Sequence, residues 1–235
     1  MTTSTSTLKA TRDALHQIAE HVLAAAQYRE TGTIRLHVVA GGFETVRDVN
    51  GGRLGVVDGR LVVGDPVGGR NTGLSTVAAA AEFAGITPGL PAAAYRAATA
   101  FTPDADLSIH QDSVRLLGGW YELGDAALRE FAERIGEGAQ QPTLWPEHFD
   151  LGLTFDNVNY GASPGDGHFA NPYLYVGPHS GPPRRDSFWN ADFGAVRLND
   201  QIPSVDSAVA FFEQGRARAN GRELSGELRP GPAAP

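Results

Sequence analysis

Glu147, His148 and Asp150, followed by Asp166, His168 and His179, bring three imidazoles and three carboxylates into one glycine- and proline-rich stretch. On a strand, His148 and Asp150 project from the same face, because side chains alternate with period two. A loop carrying Asp166 and His168 would fold over that face. Two or three imidazoles with a carboxylate form a ligand set for zinc, manganese or iron, and an open position would support hydrolysis or oxygen chemistry. His148, Asp150 and His168 are therefore the candidate metal ligands, and a divalent metal is the cofactor they imply. No recognised spacing such as H-E-x-x-H accompanies them. The competing reading is a set of hydrogen-bonded turn residues.

The same stretch, 144–190, holds nine of the chain's 20 aromatic residues. Tyr173 and Tyr175 share one strand face and Leu174 and Val176 the other. Trp145, Tyr160, Phe169, Phe188 and Trp189 lie nearby in sequence. Aromatics mixed with ionisable groups in turn-rich chain suggest a ligand pocket. The expectation is a small organic molecule held in the C-terminal half by His148, Asp150, Tyr160, His168, Tyr173, Tyr175 and Trp189. Two alternatives stand beside it: a plain hydrophobic core, and an exposed aromatic patch serving as a protein interface.

Of three other motifs, two fail on their own chemistry and one stays open. Gly161-Ala162-Ser163-Pro164-Gly165 matches G-x-S-x-G, but Pro164 lacks the backbone N–H that the oxyanion hole takes from the residue after the nucleophile. Gly165, Gly167 and Pro172 also oppose a following helix, so a turn is expected. Gly68 to Gly73, GGRNTG, resembles a phosphate loop, but Leu74 stands where lysine is required. Arg184-Arg185-Asp186 would clamp an acidic ligand or form a solvated charge cluster. No motif determines a reaction, and the residues leave open whether the chain is an enzyme.

Periodicity predicts the elements that must position these residues. Leu15, Ile18, Ala19, Val22, Leu23 and Ala26 give an amphipathic helix over 8–28. His16 and His21 fall about 140° apart on it, both expected on the solvent side. Short strands follow from Thr33, with a hairpin at Asp58-Gly59 and a polar loop over 65–73. A helix over 75–84 stops at Gly85. The region 107–135 reads as helix buried through Val114, Leu117, Trp120, Tyr121, Leu128, Phe131 and Ile135. Gly118-Gly119 and Gly124 suggest a kink there, and Arg129 and Glu133 form an i,i+4 pair. A linker at 136–141 precedes strands near 148–156, 172–177 and 192–198, and a final helix covers 205–219. The predicted class is α+β, with antiparallel sheets and helices packed against them. One globular unit, 8–219, is expected, with an echo of helix, strands and helix in two halves, 8–105 and 106–219. Tails at 1–7 and 225–235 are expected to be disordered.

Composition excludes several functions. Without cysteine there is no thiol catalysis, disulfide or iron–sulfur ligation. A net charge of −8 argues against a nucleic-acid partner. No run approaches the ~18 apolar residues of a membrane span. A soluble, cytoplasmic protein is the expectation, of unstated oligomeric state.

Leu144-Trp145, His148-Phe149-Asp150-Leu151, Pro172-Tyr173-Leu174-Tyr175-Val176, Phe188-Trp189 and Phe193-Gly194 together resemble a bacterial family common in actinobacteria, the domain of unknown function numbered 5996. Trp120-Tyr121 and the helix at 75–84 fit the same layout. The resemblance implies a soluble bacterial α+β protein and carries no activity. One histidine precedes Phe149 where many relatives have two, which weakens a metal site built on adjacent histidines.

Overall fold

The computed structural model describes residues 4–64 and 68–221. The tail at 225–235, residues 1–3 of the segment 1–7, and residues 65–67 of the 65–73 loop lie outside the described residues; the expected disorder does not extend over 5–7, which begin the first helix. Ten strands form one antiparallel sheet in the order β10-β9-β8-β7-β6-β1-β2-β3-β4-β5. Five strands come from the first half: β1 (Leu36–Val39), β2 (Gly42–Thr45), β3 (Leu54–Val57), β4 (Arg60–Val63) and β5 (Arg70–Gly73). Five come from the second: β6 (Thr143–Trp145), β7 (Asp150–Phe155), β8 (Val158–Ser163), β9 (Tyr173–Pro178) and β10 (Ala195–Leu198). Each half runs helix, five-strand meander, helix. The two meanders are not separate sheets. They join where Leu36 of β1 pairs with Leu144 of β6, both fully buried.

The first helix is one path in three parts: α1 (Thr5–Ile18), a π-helical turn (Ala19–Ala24) and α2 (Ala25–Thr31). Ser4 caps its start by accepting the Thr7 N–H, and Gly32 ends it in the left-handed conformation. The expected solvent face is absent here. His21 is buried, and His16 is half-buried, its ring stacked on Phe149 at 5.0 Å. Two segments cover it: the turn 146–149 closes over His16, and the irregular segment 86–110 is a strap across Glu20 and His21. Glu20 accepts the N–H groups of Ala98 and Thr99 and the Thr99 hydroxyl. His21 Nδ1 accepts the Leu90 N–H at 3.3 Å. Each buried polar group thereby finds its partner in the strap.

The Asp58-Gly59 hairpin forms as expected, with φ of 51° and 73° at the two turn residues. The GGRNTG loop does not. Residues 70–73 are strand β5, and their backbone groups pair with β4 rather than cradling an anion. Likewise Gly161, Ala162 and Ser163 lie in β8, not in a turn. Thr76 caps α3 (Val77–Ala84), which ends at Gly85 with φ 68°.

Helix α4 (Gln111–Ile135) runs unbroken through its three glycines. Gly124 is needed for proximity rather than for a kink. A Cβ there would sit 2.6 Å from the Ala162 Cβ, so the missing side chain lets α4 descend onto β8. Arg129 pairs with Asp125 at 2.6 Å and with Gln141, not with Glu133, because the acidic neighbour one turn earlier is the one within reach. Helix α5 (Val205–Ala219) is capped by Ser204 and buries Ala208, Val209, Phe211 and Phe212. All these helices lie on one side of the sheet. No described helix is long and apolar enough to cross a membrane.

The contrast between two glycines of α4 makes a direct test. Gly124→Ala is expected to destabilise the fold by about 1–3 kcal/mol through overpacking against Ala162. Gly119→Ala, with nothing within 4 Å of its added carbon, is expected to stabilise it by about 0.5–1 kcal/mol. Urea denaturation of the two variants measures both signs.

Candidate functional site

The sheet register sorts the aromatic residues by face. Tyr160 and Ala162 face the helices, and Tyr160 packs against Phe131 and Phe212 at 4.7 and 6.1 Å between centroids. Gly161, the residue between them, faces the other way and pairs with Tyr175. Tyr173 and Tyr175 therefore lie on the side that carries no helix, and Tyr160 does not join them. Trp189 is also elsewhere, buried in the main core edge-on to Phe188, which stacks with Phe211 of α5. The expectation of one cavity holding Tyr160, Tyr173, Tyr175 and Trp189 is corrected: strand alternation sends Tyr160 to the face opposite Tyr173 and Tyr175, and Trp189 lies in the loop between β9 and β10, packed into the main core.

On the helix-free face, Phe169, Tyr173, Tyr175 and Phe193 form a row with centroids 5.1, 6.2 and 6.5 Å apart. Gly161 and Gly152 are register partners across β7 and β8. A Cβ on Gly161 would lie 2.4 Å from the Tyr175 ring, and one on Gly152 would lie 3.1 Å from its hydroxyl oxygen. Tyr175 thus lies flat across two glycines and donates its hydroxyl to Asp150 Oδ2 at 2.5 Å. Tyr173 makes the parallel contact, donating to Asp166 Oδ2 at 2.6 Å.

The two carboxylates nevertheless differ. Asp166 accepts three donors, the Tyr173 hydroxyl and the N–H groups of His168 and Phe169. Burial pushes its carboxyl up, but those bonds outweigh it and hold the carboxyl below the ordinary range. Asp150 receives one side-chain donor, and its pKa is raised because burial outweighs the Tyr175 bond and the nearby His148. Opposite displacement of two neighbouring carboxylates is how a fold separates an ionised group from a protonatable one.

Asp150 leaves a demanding turn. Pro146 to Phe149 reverses the chain between β6 and β7, and Phe149 sits at φ 53°. A bulky residue in that region is an outlier that surrounding structure must impose. Three contacts impose it: the Tyr121 hydroxyl donates to the Phe149 carbonyl at 2.6 Å, the Phe149 ring stacks on His16, and Phe43 packs against its edge. His16 Nε2 meets the Pro146 carbonyl at 2.6 Å, so this nitrogen carries the proton. Burial lowers the pKa of His16 and of His21. Glu147, in the same turn, has its pKa raised by burial first, with Asp150 and Glu20 adding to it.

His148 and His168 are both exposed. His148 is close enough to Asp150 to influence it, and His168 stands beside Asp166. Among the described residues, however, no group of three His, Asp or Glu side chains is placed to hold a metal ion. The expected His148, Asp150 and His168 metal set is corrected on that geometry, and both histidines are exposed. His179 is at the far end of the strands, its ring 3.0 Å from Asn159 Oδ1. Arg184 and Arg185 do not form an open clamp either. They pair with Asp186 and Asp192, and the Trp189 N–H and Arg184 hold the Asp186 carboxyl at about 2.

Glu20, Tyr95, Tyr121 and His16 belong to the surroundings of the turn and were not legible as such. Glu20 alone carried a signal, a charge inside the apolar run Ile18 to Ala26. Comparison with family models, with curated proteins and with solved structures gives no match.

The Tyr175 hydroxyl is expected to control Asp150. Tyr175→Phe should cost about 1.5–3 kcal/mol at pH 7, the value of a hydrogen bond to a charged group. Because the folded pKa of Asp150 is already raised, the penalty of its charge is absent in acid and appears as pH rises through that pKa. The difference between variant and parent should therefore close near pH 3 and open toward pH 7, as measured by thermal denaturation across that range.

Proposed function

We propose that the chain binds a small organic molecule on the helix-free face of its C-terminal half, at the strand ends that converge on the turn 146–149. The observation that carries this reading is the placement of Tyr175. Its ring spans two glycines, flanked by Tyr173 and Phe193, and its hydroxyl meets a half-buried carboxylate that lacks an ion-pair partner among the described residues. An aromatic platform with one polar group at its end orients a flat ligand. His148 and His168, on the solvent side, would contact its outer edge.

An interface for another protein has less support. Phe101 and Phe193 are the large exposed apolar side chains among the described residues, and they come from different segments. A stable interface needs on the order of 1,000 Å² or more. The metal-dependent alternative has no converging ligand set behind it among the described residues.

A small-aromatic fragment library, screened by amide chemical-shift mapping on the full chain, tests the site. Binders should shift residues 148–152 and 173–175. Phe193→Ala, which removes an exposed ring, should weaken them roughly fivefold, the ~1 kcal/mol of one aromatic contact. Shifts confined to the shallow cleft between Arg129, Glu133 and Gln141 at the end of α4, or no shifts at all, would contradict the assignment.

A further inference from the structure

The strap 86–110 is fixed to the first helix by polar bonds rather than by apolar burial. None of its residues is fully buried, and Phe101, whose ring lies against His21, is 46% exposed. Its attachments come from helical side chains. Arg29 donates to the Thr87 and Gly89 carbonyls, Tyr28 donates to the Ala93 carbonyl, and Gln17 accepts the Thr102 hydroxyl. The middle of the strap depends on the π-helical turn, where Glu20 and His21 lie beneath it at 0% and 2% exposure. A segment with few buried apolar contacts opens at lower cost than the core it covers.

His21 closes the loop 90–99 with a single ring. Its Nδ1 accepts the Leu90 N–H at 3.3 Å, and its Nε2 meets the Thr99 hydroxyl at 3.0 Å and the Thr99 carbonyl at 3.3 Å. These partners decide the tautomer. The Thr99 hydroxyl spends its proton on Glu20 Oε2 at 2.6 Å, so its oxygen and the carbonyl both face Nε2 as acceptors. Nε2 therefore carries the hydrogen and Nδ1 the lone pair. An imidazolium has a donor on both nitrogens and no acceptor. Its Nδ1–H would point at the Leu90 N–H, and the bond that ties one end of the loop would become a repulsion.

We propose that the strap is a pH-sensitive latch, in which protonation of His21 releases the loop 90–99 from the π-helical turn. Of the charged groups around the ring, Glu20 on its own turn favours the protonated form, but burial outweighs it and holds the His21 pKa below its ordinary value. On the strap, Tyr95 is kept neutral by burial and by Glu20, and Arg96, Asp104, Asp106 and His110 are exposed. Arg29 of α2 is engaged by strap carbonyls, and His16 of α1 by the Pro146 carbonyl. Glu147 of the 146–149 turn acts on Tyr95. Glu82, the charged residue of α3, is exposed, and Glu44 of β2 pairs with His37. The closed strap thus binds the proton less readily than the open one. Closure is complete above about pH 6.5, the ordinary histidine value, and is lost as pH falls below it toward the lowered value.

Amide hydrogen exchange of the full chain between pH 7.5 and 5.0, corrected for the intrinsic exchange rate, reads the latch at Leu90 and Thr99. Their protection should fall severalfold across that range, with a limit of about thirtyfold for an open-state pKa near 6.5. The β8 amides of Tyr160 and Ala162 should stay constant. Carbon–nitrogen correlation spectra should show His21 as the Nε2–H tautomer, titrating in step with the loss. His21→Asn puts a non-titrating carbonyl oxygen where Nδ1 accepts, so protection at Leu90 should become independent of pH. Unchanged protection at Leu90 and Thr99, an equal fall in His21→Asn, or a parallel fall in β8 would each overturn the latch. Should the variant not fold, a His21 titration out of step with the protection of the strap overturns it by itself.

Discussion

Reversing the chain between β6 and β7 within four residues forces Phe149 into a backbone conformation that a bulky side chain ordinarily avoids. Everything around the candidate site depends on holding it there. The Tyr121 hydroxyl fixes its carbonyl from α4, His16 covers its ring from α1, and Phe43 meets its edge from β2. A strained residue supported from three elements couples the helical layer to the sheet at one point. The next residue along the chain is Asp150, which strand alternation sends to the opposite face. The same constraint therefore closes the core and delivers a carboxylate to the side without helices.

The two faces of the sheet are built on different principles. On the helical side, Gly124 and the small Ala162 let α4 approach β8, and the aromatic residues Phe131, Tyr160 and Phe212 fill the space between α4, α5 and the strands. On the other side, Gly152 and Gly161 make room for the tyrosine ring rather than for a helix. The N-terminal meander offers no such platform. There His37 and Glu44 pair at 3.2 Å, with Gly55 beside them in the register. The repeated layout thus carries unequal surfaces, and the row of Phe169, Tyr173, Tyr175 and Phe193 lies in the second half.

Much of the framework could be read from residues alone. The hairpin at Asp58-Gly59, the end of α3 at Gly85 and the span of α5 follow from local chemistry, and local chemistry decided them. Reading failed where tertiary contacts overrode local pattern. Gly161 to Ser163 suggests a turn by composition, yet its glycine is required by a tyrosine on the next strand. His16 and His21 suggest a wet helix face, yet the turn 146–149 covers the first and a strap from 86–110 the second, and no periodicity announces either. The cluster of Glu147, His148, Asp150, Asp166 and His168 was visible as a group, and the fold does place these residues at one end of the strands. Its chemistry was misjudged, because a sequence does not reveal whether imidazoles converge or diverge. Tyr160 and Trp189 went astray for a simpler reason: proximity in sequence says nothing about which face of a sheet a side chain takes.

The decisive property of the turn is that it holds two carboxylates in partial burial with no ion-pair partner among the described residues, while neighbouring Glu20 and Asp166 each accept three donors. A carbon-13 NMR titration of the Asp and Glu carboxyl groups reads that property directly. Glu147 and Asp150 should titrate above the ordinary carboxylate range, and Asp166 below it, with Asp186 at about 2. Ordinary values for Glu147 and Asp150 would mean that water already solvates both groups. The turn would then be an open loop with no unmet demand for a ligand.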